Sequence, residues 1–191
     1  MATGQPAIAN AKKDHQVTNM KHHYTVRGHL DQIMAERVIR QATEGLQPGE
    51  RPAVWFSTNP LWERTVCKFD RPNGGPLGGS LQHHWEMSQR PFEAFVVEDG
   101  MPGAKLETID SQPQLQPARI TVADDVAPYT WHDFKRLSGI SKKSARALYQ
   151  AAIPMDARPG EWFVSFEPVP AEKWLAVELY NGTGWKPLAG V

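Results

Sequence analysis

His22-His23-Tyr24-Thr25-Val26 is β-branched and aromatic, and it reads as a short strand. Side chains alternate along a strand, so His22 and His23 are expected on opposite faces. Gly28 follows, and Leu30, Ile33, Met34 and Val38 then recur at three- and four-residue spacing, which predicts an amphipathic helix over 29–38. The next apolar run, Ala53-Val54-Trp55-Phe56-Ser57-Thr58, predicts a second strand that ends in hydroxyls and is stopped by Asn59-Pro60.

Farther along, Arg119-Ile120-Thr121-Val122 predicts a strand and Trp131 to Leu137 a short helix. Ser141 is positioned to cap a helix from Lys142 to about Ala152, with Ala145, Leu148, Tyr149 and Ala152 on one face. Trp162 to Phe166 and Trp174 to Leu179 read as closing strands separated by Pro168-Val169-Pro170, and Asn181-Gly182 marks a turn. Strands at both ends with helices grouped between them give an α+β fold. Between 70 and 117 lie six Gly and six Pro among 48 residues, an irregular insertion in which Phe92 to Val97 is the one expected strand. Residues 1–20 read as a flexible tail, without the order of charge and apolar run of a secretory signal, and residues 21–191 as a single domain.

With 191 residues, 40% of them hydrophobic and seven each of Trp and Phe, the chain can build a real core. Lys+Arg and Asp+Glu both number 21, which removes the global charge argument for a nucleic-acid binder while leaving room for a local basic patch. No apolar run has the ~18–20 residues of a membrane span. One cysteine, Cys67, forms no internal disulfide and no cysteine-based zinc site, and a reducing cytoplasmic setting is expected. His83-His84 and Trp131-His132-Asp133 lack metal-ligand spacing, so no metal site is expected. GxGxxG, GxxxxGK[ST] and GxSxG are all missing from the sequence.

Three places carry candidate chemistry. His23 either reaches a ligand or is a half-buried strand histidine bonded to a carbonyl. Ser57-Thr58-Asn59 puts small hydrogen-bonding groups at a strand end, with Trp62 beyond, and reads either as ligand contacts or as a strand-to-turn cap. Glu167 ends an apolar strand, where a carboxylate is costly unless solvated or paired. It is a candidate for stabilising a cation or taking a proton, or else an exposed edge carboxylate. Glu178 lies within a strand and is expected to point to solvent.

In order, HHYT (22–25) with its LxxIM helix, VWFSTNP (54–60), and VSFEPVP (164–170) with the strand LAVEL (175–179) resemble the ADP-ribosyltransferase superfamily, nearest to bacterial DNA-targeting toxins. The resemblance covers about 21–62 and 160–180. It implies a split β-sheet that grips NAD, cleavage of the nicotinamide–ribose bond, and transfer of ADP-ribose to a nucleic acid or protein. By the same resemblance His23 contacts the adenosine-side ribose of NAD, Tyr24 and Thr25 line the start of the pocket, Ser57, Thr58 and Asn59 line the nicotinamide side with Trp62 as a stacking surface, and Glu167 is the catalytic carboxylate. The chain departs from the pattern at Ser165, where arginine-directed relatives carry Glu or Gln. Arg27, Arg40, Arg51 and Arg119 all compete for the role of phosphate-binding arginine. A non-catalytic interaction module is the alternative. Leu137 to Ala145 resembles a helix-hairpin-helix turn, in which Lys142, Lys143 and Arg146 would hold nucleic-acid phosphates.

Overall fold

The computed structural model describes residues 20–63, 65, 94–96, 105–107, 116–153, 157–181 and 184–189. Most of the 1–20 tail, Cys67, His83-His84 and most of the 70–117 insertion lie outside them.

The fold is α+β around one seven-stranded antiparallel sheet. Its strands are β1 (Lys21–Val26), β3 (Val54–Ser57), β6 (Pro117–Val122), β7 (Tyr129–Thr130), β8 (Trp162–Ser165), β10 (Trp174–Tyr180) and β11 (Trp185–Pro187), in the spatial order β11-β10-β6-β1-β3-β8-β7. Two strand pairs stand apart. One joins β2 (Val38–Ile39) to β9 (Val169–Pro170), and the other joins β4 (Ala94–Val96) to β5 (Lys105–Glu107). Helices are α1 (Arg27–Glu36), α2 (Trp131–Leu137) and α3 (Lys142–Ala152).

Each face of the sheet has its own core. On one, Leu30 of α1 packs with Val54, Phe56, Ile120, Val122 and Val177. On the other, Trp131 and Phe134 of α2 and Ala145 and Ala152 of α3 pack with Trp162 and Val164 of β8. Burying each large apolar side chain contributes about 1.5–3 kcal/mol. Trp55 joins the second core, its ring 4.5 Å from Phe134 and edge-on to Trp162 at 6.3 Å.

Local sequence explains the helix ends. Thr130 and Asp133 form a reciprocal capping box at α2, and Ser141 caps α3 by accepting from Ser144 N–H. α1 starts two residues before the expected position, directly off β1, and ends at Arg37 in the left-handed region (φ 54°), whose N–H bonds Ile33 O. Between α2 and α3 Gly139 has φ 78°, and a Cβ there would stand 2.6 Å from Gly49 O.

Three expectations are corrected. Pro168-Val169-Pro170 is not only a separator, because Val169–Pro170 pairs with Val38–Ile39. Leu148 and Tyr149 do not share the burial of Ala145 and Ala152, and are 45% and 46% exposed. Glu178 is not turned to solvent. It lies opposite Arg119 across the β10–β6 ladder, with Oε2 2.6 Å from Arg119 Nε, and the two side chains are 15% and 13% exposed.

The first strand is anchored by a buried ammonium. Lys21 Nζ donates to Asp124 O and Ala127 O at 2.8 Å, pairs with Asp124 Oδ1 at 2.8 Å, and lies over the Phe163 ring. These partners offset the desolvation of the charge.

Candidate functional site

The site begins where a ladder fails. β1 and β3 are neighbours, yet their register holds only the pair His22–Ser57. Beyond it the strands part, and a cleft of about 560 Å³ opens. Residues of both alternation classes line it: His22, Tyr24, Trp55 and Ser57 of one face, and His23, Thr25, Val54 and Phe56 of the other. A cavity on a single face would not collect both sets, so the opening runs between the strands. Ile33 and Glu36 of α1 stand on one side of it, and Leu148 and Ala151 of α3 on another. This explains the exposed Leu148, which is cleft wall and not core. The volume and the mixture of apolar walls with a few polar groups fit a small organic ligand.

Separated strands leave backbone groups to be satisfied. His23 satisfies one. Its Nδ1–H donates to Trp55 O at 2.9 Å, and its ring lies 5.8 Å from Phe56. A carbonyl only accepts, so Nδ1 carries the proton. The two readings of His23 therefore hold together: it is bonded to a carbonyl, and it lines the cleft.

A polar row crosses the sheet beside the opening. Register places Thr121, His22, Ser57 and Trp162 in line on β6, β1, β3 and β8, and all four are buried. His22 Nδ1 shares a hydrogen bond with Thr121 Oγ1 at 2.9 Å, leaving Nε2 as the ring nitrogen available to the cleft. Burial first, and then the positive charge of Arg119, push the His22 pKa down to about 4, so the ring is neutral at pH 7. The Trp162 indole N–H is buried without a partner among the described residues.

After β3 the chain is clamped. Three successive carbonyls accept from side chains of three strands: Asn59 O from the Tyr24 hydroxyl, Pro60 O from the Arg119 guanidinium, and Leu61 O from Trp185 Nε1 at 3.1 Å. Ser57 Oγ accepts from Asn59 N, and Asn59 Oδ1 from Leu61 N. The stacked rings of Trp62 and Trp185, with Tyr24 5.2 Å from Trp62, fill the space beneath. Burial pushes the Tyr24 phenol pKa up, and Glu63 and Glu178 add to the rise.

This clamp delivers Glu63, which the sequence reading did not single out. Glu63 is 6% exposed and lines the cleft with Thr65. Its Oε1 accepts from Thr65 Oγ1 at 2.8 Å and Thr65 N at 3.3 Å. The Asn59-Pro60 turn was its one sequence signal, since a chain reversing after a strand returns its next residues over the sheet.

Of the expected site residues, His23, Tyr24, Thr25 and Ser57 line the cleft. Asn59 and Trp62 belong to the clamp, Thr58 N donates to Glu161 O at 3.0 Å, and none of the three is part of the cleft wall. Glu167 is exposed just past β8, its backbone held by Ser165, whose Oγ donates to Glu167 O at 2.8 Å and accepts from Glu167 N at 3.1 Å. It is not in the wall. The adjoining Phe166 O accepts from Gln41 Nε2, and Ala42 bridges to Ala53, both cleft-lining, so Glu167 follows a segment beside that end of the opening. Lys142, Lys143 and Arg146 are exposed on the first turns of α3.

Family models, curated proteins and solved structures yield no significant match to this chain. Among the described residues no helix is long and apolar enough to cross a membrane, and no group of three or more His, Cys, Asp or Glu is arranged to hold a metal ion.

Proposed function

We propose that this chain is an ADP-ribosyltransferase-like enzyme that uses NAD as substrate and passes ADP-ribose to a nucleic acid or protein. The observation that carries the reading is the parting of β1 from β3, which opens a cleft at His23, Tyr24, Thr25 and Ser57. Those residues were singled out by the resemblance, and a split sheet is the feature that it implied. The cleft also suits the ligand. It offers apolar and aromatic surface for flat rings, with the Ser57 hydroxyl and the imidazoles as hydrogen-bonding groups for a ribose or an amide.

In this reading the nicotinamide–ribose bond breaks with its electron pair leaving on the nicotinamide nitrogen. The ribose becomes an oxocarbenium-like cation, which an acceptor lone pair captures. Glu167, beside the Ala42–Ala53 end, supplies the fixed anion that favours the cation. The test is calorimetric NAD binding together with nicotinamide release, on wild type and Glu167→Ala. Binding by both proteins with release by wild type alone is the expected result, and unchanged release by the variant refutes the role of Glu167.

One observation favours the second reading, a non-catalytic binding module: Glu167 stands outside the cleft wall. That reading expects NAD or nucleic-acid binding without release of nicotinamide. For nucleic acid held at Lys142, Lys143 and Arg146, affinity falls steeply with salt.

A further inference from the structure

We propose that Glu63 is a second catalytic carboxylate, the base that takes the proton from the attacking nucleophile when ADP-ribose is transferred. The inference rests on the transferase reading of the cleft.

Glu63 is a buried acid in the wall of the cleft. Burial of a carboxylate is unfavourable unless its oxygens are used. The fold uses one of them, because Oε1 accepts both bonds from Thr65. Oε2 has no partner among the described residues, and it is not a sealed orphan either. One oxygen is thus held, and the other is without a partner among the described residues in a residue that lines the cleft. That is the arrangement of a positioned proton acceptor, and nothing in the packing of the core requires it.

Its mounting is rigid for a loop residue. Three consecutive carbonyls, two to four positions earlier, are held by Tyr24, Arg119 and Trp185. His22, Tyr24 and Ser57 line the same cleft as Glu63, and the Tyr24 ring is 5.9 Å from that of His22. His22 is neutral at pH 7 and serves as a hydrogen-bonding partner, while Glu63 receives the proton.

The chemistry selects the ligand class, a nucleophile carrying N–H or O–H. Its lone pair forms the bond to the ribose anomeric carbon as the nicotinamide bond breaks. The N–H or O–H proton passes to Glu63 Oε2, and solvent later removes it. Water is the smallest member of the class. Azide is a nucleophile outside it, since it attacks as an anion with no proton to lose.

The experiment measures nicotinamide release from NAD by the full chain, with water alone and with added sodium azide, alongside calorimetric NAD binding. Glu63→Gln preserves an oxygen that accepts from Thr65. The expected result is NAD binding within about threefold of wild type, a loss of about 10²-fold or more with water, and an azide rate close to wild type. Glu63→Asp keeps a carboxylate on a shorter arm. It carries the same test if the Gln variant fails to fold, with a reduced water rate and an unchanged azide rate. Equal losses with water and azide, or a Gln variant that turns over at the wild-type rate, overturn the role of Glu63. A wild type that neither binds NAD nor releases nicotinamide under either condition refutes the transferase reading itself, so the two failures are distinguishable.

Discussion

Acidification of His22 tests the buried polar row directly. The residue is buried beside the cleft, Nδ1 is engaged by Thr121, and burial together with Arg119 holds the folded pKa at about 4 against an ordinary 6.5. The unfolded chain therefore binds a proton that the folded chain refuses. Stability from this group is complete above about pH 6.5, falls as the pH drops towards 4, and levels off below. Between about pH 8 and pH 5 the linkage relation gives a loss of ~2 kcal/mol, which screening on the cleft side reduces to ~1–2 kcal/mol. The assay is urea unfolding followed by tryptophan fluorescence at both pH values, on wild type and His22→Asn. Asparagine can still bond Thr121 but does not titrate. Wild type is expected to lose this increment beyond any loss shown by the variant. Equal losses in the two proteins would refute the assignment of a neutral buried imidazole.

Two further substitutions probe the frame around the cleft. Arg119→Met removes the partner of Glu178 and releases Pro60 O, and a broken buried pair costs about 3–5 kcal/mol. Thermal melting should show a drop of several degrees for Arg119→Met, largely recovered in Arg119→Met/Glu178→Leu. A single variant as stable as wild type contradicts the pairing. Gly139→Ala forces a left-handed residue and drives a methyl against Gly49 O, so a loss of about 1–3 kcal/mol in urea unfolding is expected. A neutral substitution would show that the 47–50 turn does not pack there.

Parts of this fold were legible because local chemistry and tertiary structure agree. Ser141 and Thr130 are strong caps, and α2 and α3 run as expected. Val54–Ser57 and Trp162–Ser165 are apolar runs paired with each other along their length, so strand propensity and burial point the same way. Val38–Ile39 and Val169–Pro170 are two residues each and exist through each other, with no periodicity to find. Glu178 misled for a physical reason. Alternation sends it to the expected face, but Arg119 stands opposite it and Tyr180 and Trp185 flank it, so that face is covered. Glu63 follows Trp62 in an unpatterned stretch. Its burial comes from three donors on β1, β6 and β11, separated from it by 39 to 122 positions, which no local rule detects.

The cleft lies where the β1–β3 ladder fails, and helices from both faces of the sheet reach it, α1 through Ile33 and Glu36 and α3 through Leu148 and Ala151. β3 is held from both faces all the same, with Val54 and Phe56 in the core of Leu30 and Trp55 against the core of Trp162. Opening the ladder there exposes backbone groups. His23 meets part of that cost by bonding Trp55 O. The gap is lined from both faces of the sheet. Glu63 stands in the wall of the gap, and Glu167 outside it, one residue past the Phe166 carbonyl that Gln41 holds. The proposed transfer assigns one anion to favour the ribosyl cation and a second to receive the proton of the group that captures it.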